Sequence, residues 1–220
     1  MRAAVAILAT LVLWACHAWG QTTNAPVAAD SAPAAIEDDT NRWAFSASAY
    51  SYFVPDSRDY LQPTFSTDRG WLHLEARYNY EDLDTGSAWL GYNVGGGQKL
   101  AWDLTPMLGG VVGNTAGIAP GYNGSLSWWK LELYSEGEYL VDTGDSSASF
   151  FYNWSELTLA PVEWLRFGSV TQRTRAYDTD RDIQRGLLVG FSYTHVDLAG
   201  YVFNPDESTP TVVIALRVTF

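Results

Sequence analysis

Cysteine is nearly absent from this chain of 220 residues: Cys16 is the only one, so neither an intrachain disulfide nor a thiolate metal cluster can form. Basic residues are few as well, 13 Lys and Arg against 25 Asp and Glu, for a formal net charge of -12. A chain this acidic has no extended basic patch with which to release counterions from phosphates, so nucleic acid is not an expected partner. Only three histidines are present, which narrows the room for acid–base chemistry. No apolar run is long enough for a membrane-spanning helix, and no segment keeps a period near 3.6, which argues against a helical bundle in membrane or water. Long-period repeats and phosphate-cradling loops are missing too, since Gly95-Gly96-Gly97 is followed by no helix. No cofactor is implied.

What the chain does have is alternation. It ends Thr211-Val-Val-Ile-Ala-Leu-Arg-Val-Thr-Phe220, which sets Val212, Ile214, Leu216, Val218 and Phe220 on one face of a strand and Arg217 on the other. Hydrophobic residues make up 47% and aromatics 15%, yet the mean hydropathy is only -0.11. Strands with one apolar and one polar face average to such near-neutral values. At the other end, Met1-Arg2, the apolar run from Ala3 to Ala15 and the small residues Ala18 and Gly20 have the layout of a secretory signal peptide over residues 1–20, with Gln21 as the new N-terminus. Leu13-Trp14-Ala15-Cys16 is a competing signal that resembles a lipobox, despite the bulk of Trp14, and would make Cys16 a lipidation site. Residues 21–42, rich in Ala, Pro, Thr and Asp, show no period and read as a disordered periplasmic leader.

From Trp43 onward, turn residues recur between strand-like segments, giving about twelve strands, with ten as the runner-up count. Trp71 to Tyr80 has Leu72, Leu74, Ala76, Tyr78 and Tyr80 on one face and His73, Glu75 and Arg77 on the other. Trp128 to Val141 opposes Lys130, Glu132, Glu136 and Glu138 to Trp129, Leu131, Leu133, Tyr139 and Val141. Pro106 predicts a bulge or strand end within Lys99 to Val112, and Pro120-Gly121 breaks the weakest segment, Thr115 to Asn123. Most connections alternate between tight, as at Asp68-Arg69-Gly70 or Ala160-Pro161-Val162, and roomy, as at Glu81 to Gly86 or Ala176 to Asp182. That is the expected alternation of short periplasmic turns with longer outer loops, both termini being periplasmic.

Alternation alone also fits a soluble barrel with its apolar face inside. Three features favour the membrane: charges of both signs in mid-strand, Trp and Tyr near strand ends as in interfacial girdles, and a last residue in register with the apolar face. Residues 43–220 resemble bacterial outer-membrane β-barrel proteins, and the strand ending in Phe220 resembles the signal read by the barrel-assembly machinery. The resemblance implies an all-β, antiparallel, transmembrane up-and-down barrel in the outer membrane, with lipid and lipopolysaccharide as its surroundings. The chain is too short for the strand number of the large porins and lacks an obvious constriction loop.

The expected lumen lining is His73, Glu75, Arg77, Lys99, Asp103, Lys130, Glu132, Glu136, Glu138, Glu156, Arg166 and Arg217. These groups either seal the lumen by neutralising one another or line a narrow pore whose acidic excess favours small hydrophilic or cationic solutes. A structural or adhesive barrel with a sealed interior is the rival class. A lipid-modifying enzyme ranks third, because His73 and His195 both fall at the periplasmic end, where the expected role of His73 is a hydrogen bond to a neighbour such as Glu75 and His195 is a turn residue. Of the acidic loops, Asp178 and Asp180 are weak metal candidates, and solvated loop tips are the plainer reading.

Overall fold

The computed structural model describes residues 42–55, 57–176 and 182–220. The expected signal peptide, Cys16, nearly all of the leader, and the pair Asp178 and Asp180 lie outside these residues. β-Structure dominates: β1 (Ala44–Phe53), β2 (Tyr60–Arg69), β3 (Leu72–Tyr78), β4 (Thr85–Tyr92), β5 (Val94–Gly96), β6 (Leu100–Gly113), β7 (Gly117–Trp128), β8 (Leu131–Asp142), β9 (Phe150–Val162), β10 (Leu165–Ala176), β11 (Asp182–Tyr193), β12 (Val196–Phe203) and β13 (Thr211–Thr219). Each pairs antiparallel with its sequence neighbour except that β4 and β5, parted at Asn93, follow one another along β6. Together those two make one barrel strand, so the count is twelve, and β1 closes the ring on β13. Phe45 and Phe220 exchange both backbone hydrogen bonds at 2.9 Å and stack their rings 5.8 Å apart beyond the end of that seam.

The prolines act differently from expectation. β6 runs straight through Pro106, with no bulge and no end, and it is the partner strand that is interrupted, at Tyr92 and Asn93 opposite Pro106 and Thr105. Pro106 has no N–H to give that seam, while its backbone on the β7 side remains paired opposite Tyr122. Pro120 likewise sits inside an unbroken β7, and the β7–β8 ladder skips from Ile118↔Val141 to Gly121↔Glu138 without losing register. The expected break there is therefore absent. The following turn lies at Trp129 and Lys130, where Trp129 takes φ 57°, and the β9–β10 turn lies beyond Val162 rather than at Ala160-Pro161-Val162.

One end of the barrel carries tight turns and both ends of the described chain; the other carries the long connections. The short β6–β7 link at the long-loop end is covered by the β3–β4 loop, since Asn114 Nδ2 donates to the Leu83 carbonyl and Thr115 Oγ1 to Asp82. Outward faces are apolar, as at Leu198, Val202, Ile214, Leu187 and Val189. Trp71, Trp128, Trp129, Trp164 and Tyr193 ring the tight-turn end. An exception lies on β7–β9. There Asn153 faces outward and donates through Nδ2 to Tyr122 Oη, Ser135 Oγ and the Glu136 carbonyl, at 3.0, 3.1 and 2.8 Å. Ser155 donates to Asn153 Oδ1, so these half-buried outward polar atoms satisfy one another.

Candidate functional site

Alternation along each strand sends half the side chains into the lumen, and the lumen has two storeys. Toward the tight-turn end the inward positions are small or polar: Ser46, Ser48, Ser66, Ser125, Ser127, Gly168, Gly190 and Ser192. These leave room around Asp103, Glu132, Arg166, Asp197 and Arg217, none of which is buried, and Arg217 is exposed. Toward the long-loop end the inward positions are aromatic or branched. Tyr52, Trp89, Tyr152, Trp154, Tyr201, Phe203, Leu140 and Val213 are buried there as a packed core. Tyr50 of β1 meets Trp154 of β9 edge-on at 6.1 Å, and Tyr80 meets Tyr152 at 5.4 Å, contacts that cross the lumen rather than follow its wall. Trp89 lies against Gly109 so closely that a Cβ there would stand 2.5 Å from the indole.

Ionic bridges cross at the junction of the storeys. Arg77 of β3 reaches over to Glu138 of β8 at 2.9 Å and also hydrogen-bonds Glu75 on its own strand. Its guanidinium lies 4.1 Å from the ring centre of Tyr80 and 4.4 Å from that of Trp89, so burial is offset by two carboxylates and two π faces. Tyr80 Oη donates to Glu136 at 2.7 Å, Tyr134 Oη to the same carboxylate at 2.6 Å, and Tyr201 Oη to Glu156 at 3.0 Å. Tyr80 is thus inside the barrel and not on the lipid face with Tyr78. Asn79 takes φ 57°, outside the extended region, and this ends the alternation one residue early.

The other expected lining residues separate into two groups. His73 is buried, with Nδ1 at 2.7 Å from Asp68 and Nε2 at 3.4 Å from Glu75. Asp103 accepts from Ser125, and Arg166 makes a two-pronged pair with Asp197. Lys99 and Lys130 do not share this space. Both stand exposed in turns at the tight-turn end, where Lys130 Nζ donates to the Pro161 carbonyl, because β6 begins at Leu100 and β8 at Leu131, each just past the lysine that the alternation places inside the strand. His195 is exposed in the β11–β12 turn. Asp68 and Asp197 are lumen groups that the sequence reading missed. Asp197 shares the parity of Tyr201 and Phe203, and this face stands beside Glu156 of β9 and Arg217 of β13. Among the described residues no cluster of three or more His, Cys, Asp and Glu has the geometry to hold a metal ion.

A closed ring of twelve antiparallel strands, apolar outside, charged within and girdled by Trp and Tyr, defines the class: this is an outer-membrane β-barrel protein. No protein-family model matches the chain, and no curated protein does. Among solved structures it is similar to one described as a KdgM porin, with TM-score 0.56 over 80% of this chain and 99% of that one, at 8% sequence identity. A second, the KdgM porin in complex with disordered oligogalacturonate, gives TM-score 0.55 at the same coverage and identity. The likeness is one of fold.

Proposed function

We propose that the barrel is a narrow outer-membrane pore for small cationic or neutral hydrophilic solutes, with its tight-turn end in the periplasm. The observation that carries this reading is the imbalance of inward charge. Asp68, Glu75, Asp103, Glu132, Glu136, Glu138, Glu156 and Asp197 face the lumen, against Arg77, Arg166 and Arg217. Such a lining concentrates cations and raises the barrier to anions. It is ill suited to an oligomer of a sugar acid, so the ligand named with the similar porin is not carried over to this chain. The small-residue storey would act as a vestibule and the Arg77–Glu138 and Tyr80–Glu136 bridges as the constriction.

A sealed structural barrel is the second reading, favoured by the aromatic contacts that cross the long-loop half. Single-channel recording of refolded protein separates the two. Ohmic steps with cation preference are expected, and in Glu136→Gln/Glu138→Gln the ratio of cation to anion permeability should fall by about threefold or more, as two of the carboxylates nearest the constriction lose charge. A barrel that conducts in neither polarity is sealed, and the pore reading fails.

A further inference from the structure

On the outer wall, Arg173 and Arg185 have no ion-pair partner among the described residues. Arg173 on β10 points away from the lumen, its guanidinium 5.6 Å from the ring centre of Phe151 on β9. Phe151 pairs with Tyr139 of β8, an outward tyrosine near the long-loop end, so Arg173 stands at the level of an aromatic girdle. Arg185 on β11 is opposite Thr171, two residues from Arg173 along β10, and is also outward and exposed. Diagonal neighbours on adjacent strands have backbones about 7–8 Å apart, a separation from which two long side chains converge on one anion. The register partners around them on this face, Asn153, Thr171 and Ile183, carry no charge. Arg173 Nε is buried and has no hydrogen-bond partner among the described residues, an arrangement that costs free energy unless an acceptor is supplied from beyond them.

We infer that Arg173 and Arg185 form a binding site for a phosphate group of an outer-leaflet lipid headgroup. The guanidinium fork matches phosphate oxygens, the Phe151 ring holds one fork in place, and the bilayer delivers the anion at this height. The site lies outside the lumen and is independent of the pore reading, resting only on the long-loop end being the outer one.

The test uses the refolded full barrel in phosphatidylcholine vesicles doped with lipid A, reading the apparent melting temperature against lipid A content. A rise with lipid A is expected, and in Arg173→Gln/Arg185→Gln the content needed for half the rise should increase about tenfold. Arg173→Lys/Arg185→Lys should recover part of the response, because charge is kept but the fork is lost. Arg69→Gln, at the opposite end where Arg69 lies 5.6 Å over Trp43, should respond as the parent does. Lipid A stripped of phosphate should give no rise, nor should inorganic phosphate added to undoped vesicles. An equal response in the double glutamine variant, or from dephosphorylated lipid A, overturns the site; a full response to inorganic phosphate alone overturns the lipid headgroup as its occupant.

Discussion

Arg77 is the cation at the junction of the two lumen storeys. It joins Glu75 and Glu138, which approach from strands on different sides of the lumen, and it is sandwiched between Tyr80 and Trp89. Removing one member of a buried ionic group is costly because the partners stay behind as uncompensated charges. Arg77→Met keeps much of the volume, so the loss is mainly electrostatic. The unfolding free energy in urea, measured in lipid vesicles, should fall by about 3–5 kcal/mol. Arg77→Met/Glu75→Gln/Glu138→Gln, which removes the stranded charges as well, should regain most of it. An unchanged urea midpoint in the single variant would mean that water already reaches these carboxylates and that the constriction lies elsewhere.

Among elements, the seams opposite Pro106 and Pro120 are where the hydrogen-bonded ring is thinnest. At each, one strand passes unbroken and its neighbour goes unpaired for about two residues, because a proline nitrogen has no proton to donate. Pro106→Ala and Pro120→Ala should each add a ladder bond worth about 0.5–1.5 kcal/mol and slow amide exchange at the facing residues, Tyr92 and Asn93 in one case and Tyr139 and Leu140 in the other. Exchange that stays as fast as in the parent would place the weakness in strand curvature rather than in the missing donor. The same prolines show why sequence gave the strand number and class but misplaced several ends. Period-two patterning locates a strand wherever its faces differ, as at Leu72–Tyr78 and Val196–Phe203, and those segments are close to their structural limits. Proline and glycine read locally as stops, whereas in a closed sheet the cost of one lost bond is outweighed by pairing along the rest of the strand. Cross-lumen partners such as Arg77 and Glu138, 61 residues apart, depend on the order and stagger of the whole ring, which no local pattern encodes. The packed storey was hidden for another reason. The rule that apolar faces meet lipid fails where the interior is itself a core: Trp154, Tyr201 and Phe203 are buried inward although their faces are strongly aromatic, whereas Trp89 shares a face with Ser87, Gly91 and Asn93 and follows the alternation.

At the scale of the whole molecule the division of the lumen governs what the barrel can pass. Sections of a pore act as resistances in series, so the narrowest one sets the current and widening any other changes little. The narrow section here is the long-loop storey, where Tyr80 and Tyr152 touch across the lumen and Tyr50 meets Trp154. The wide section is lined by serine and glycine around exposed Arg217. A taper of this kind also separates selectivity from throughput, because the carboxylates at Glu136 and Glu138 lie where the two storeys join and solutes must shed water to proceed. Tyr80→Ala/Tyr152→Ala should therefore raise single-channel conductance by about twofold or more, while Ser48→Ala/Ser66→Ala, in the vestibule, should leave it within about a tenth of the parent value. Cation preference should survive the tyrosine replacements, since Glu136 and Glu138 remain. If the two tyrosine changes leave the conductance as it was, the path avoids the Tyr80–Tyr152 contact, and the constriction must be sought along the opposite wall, where Tyr50 faces Tyr201 at 6.2 Å.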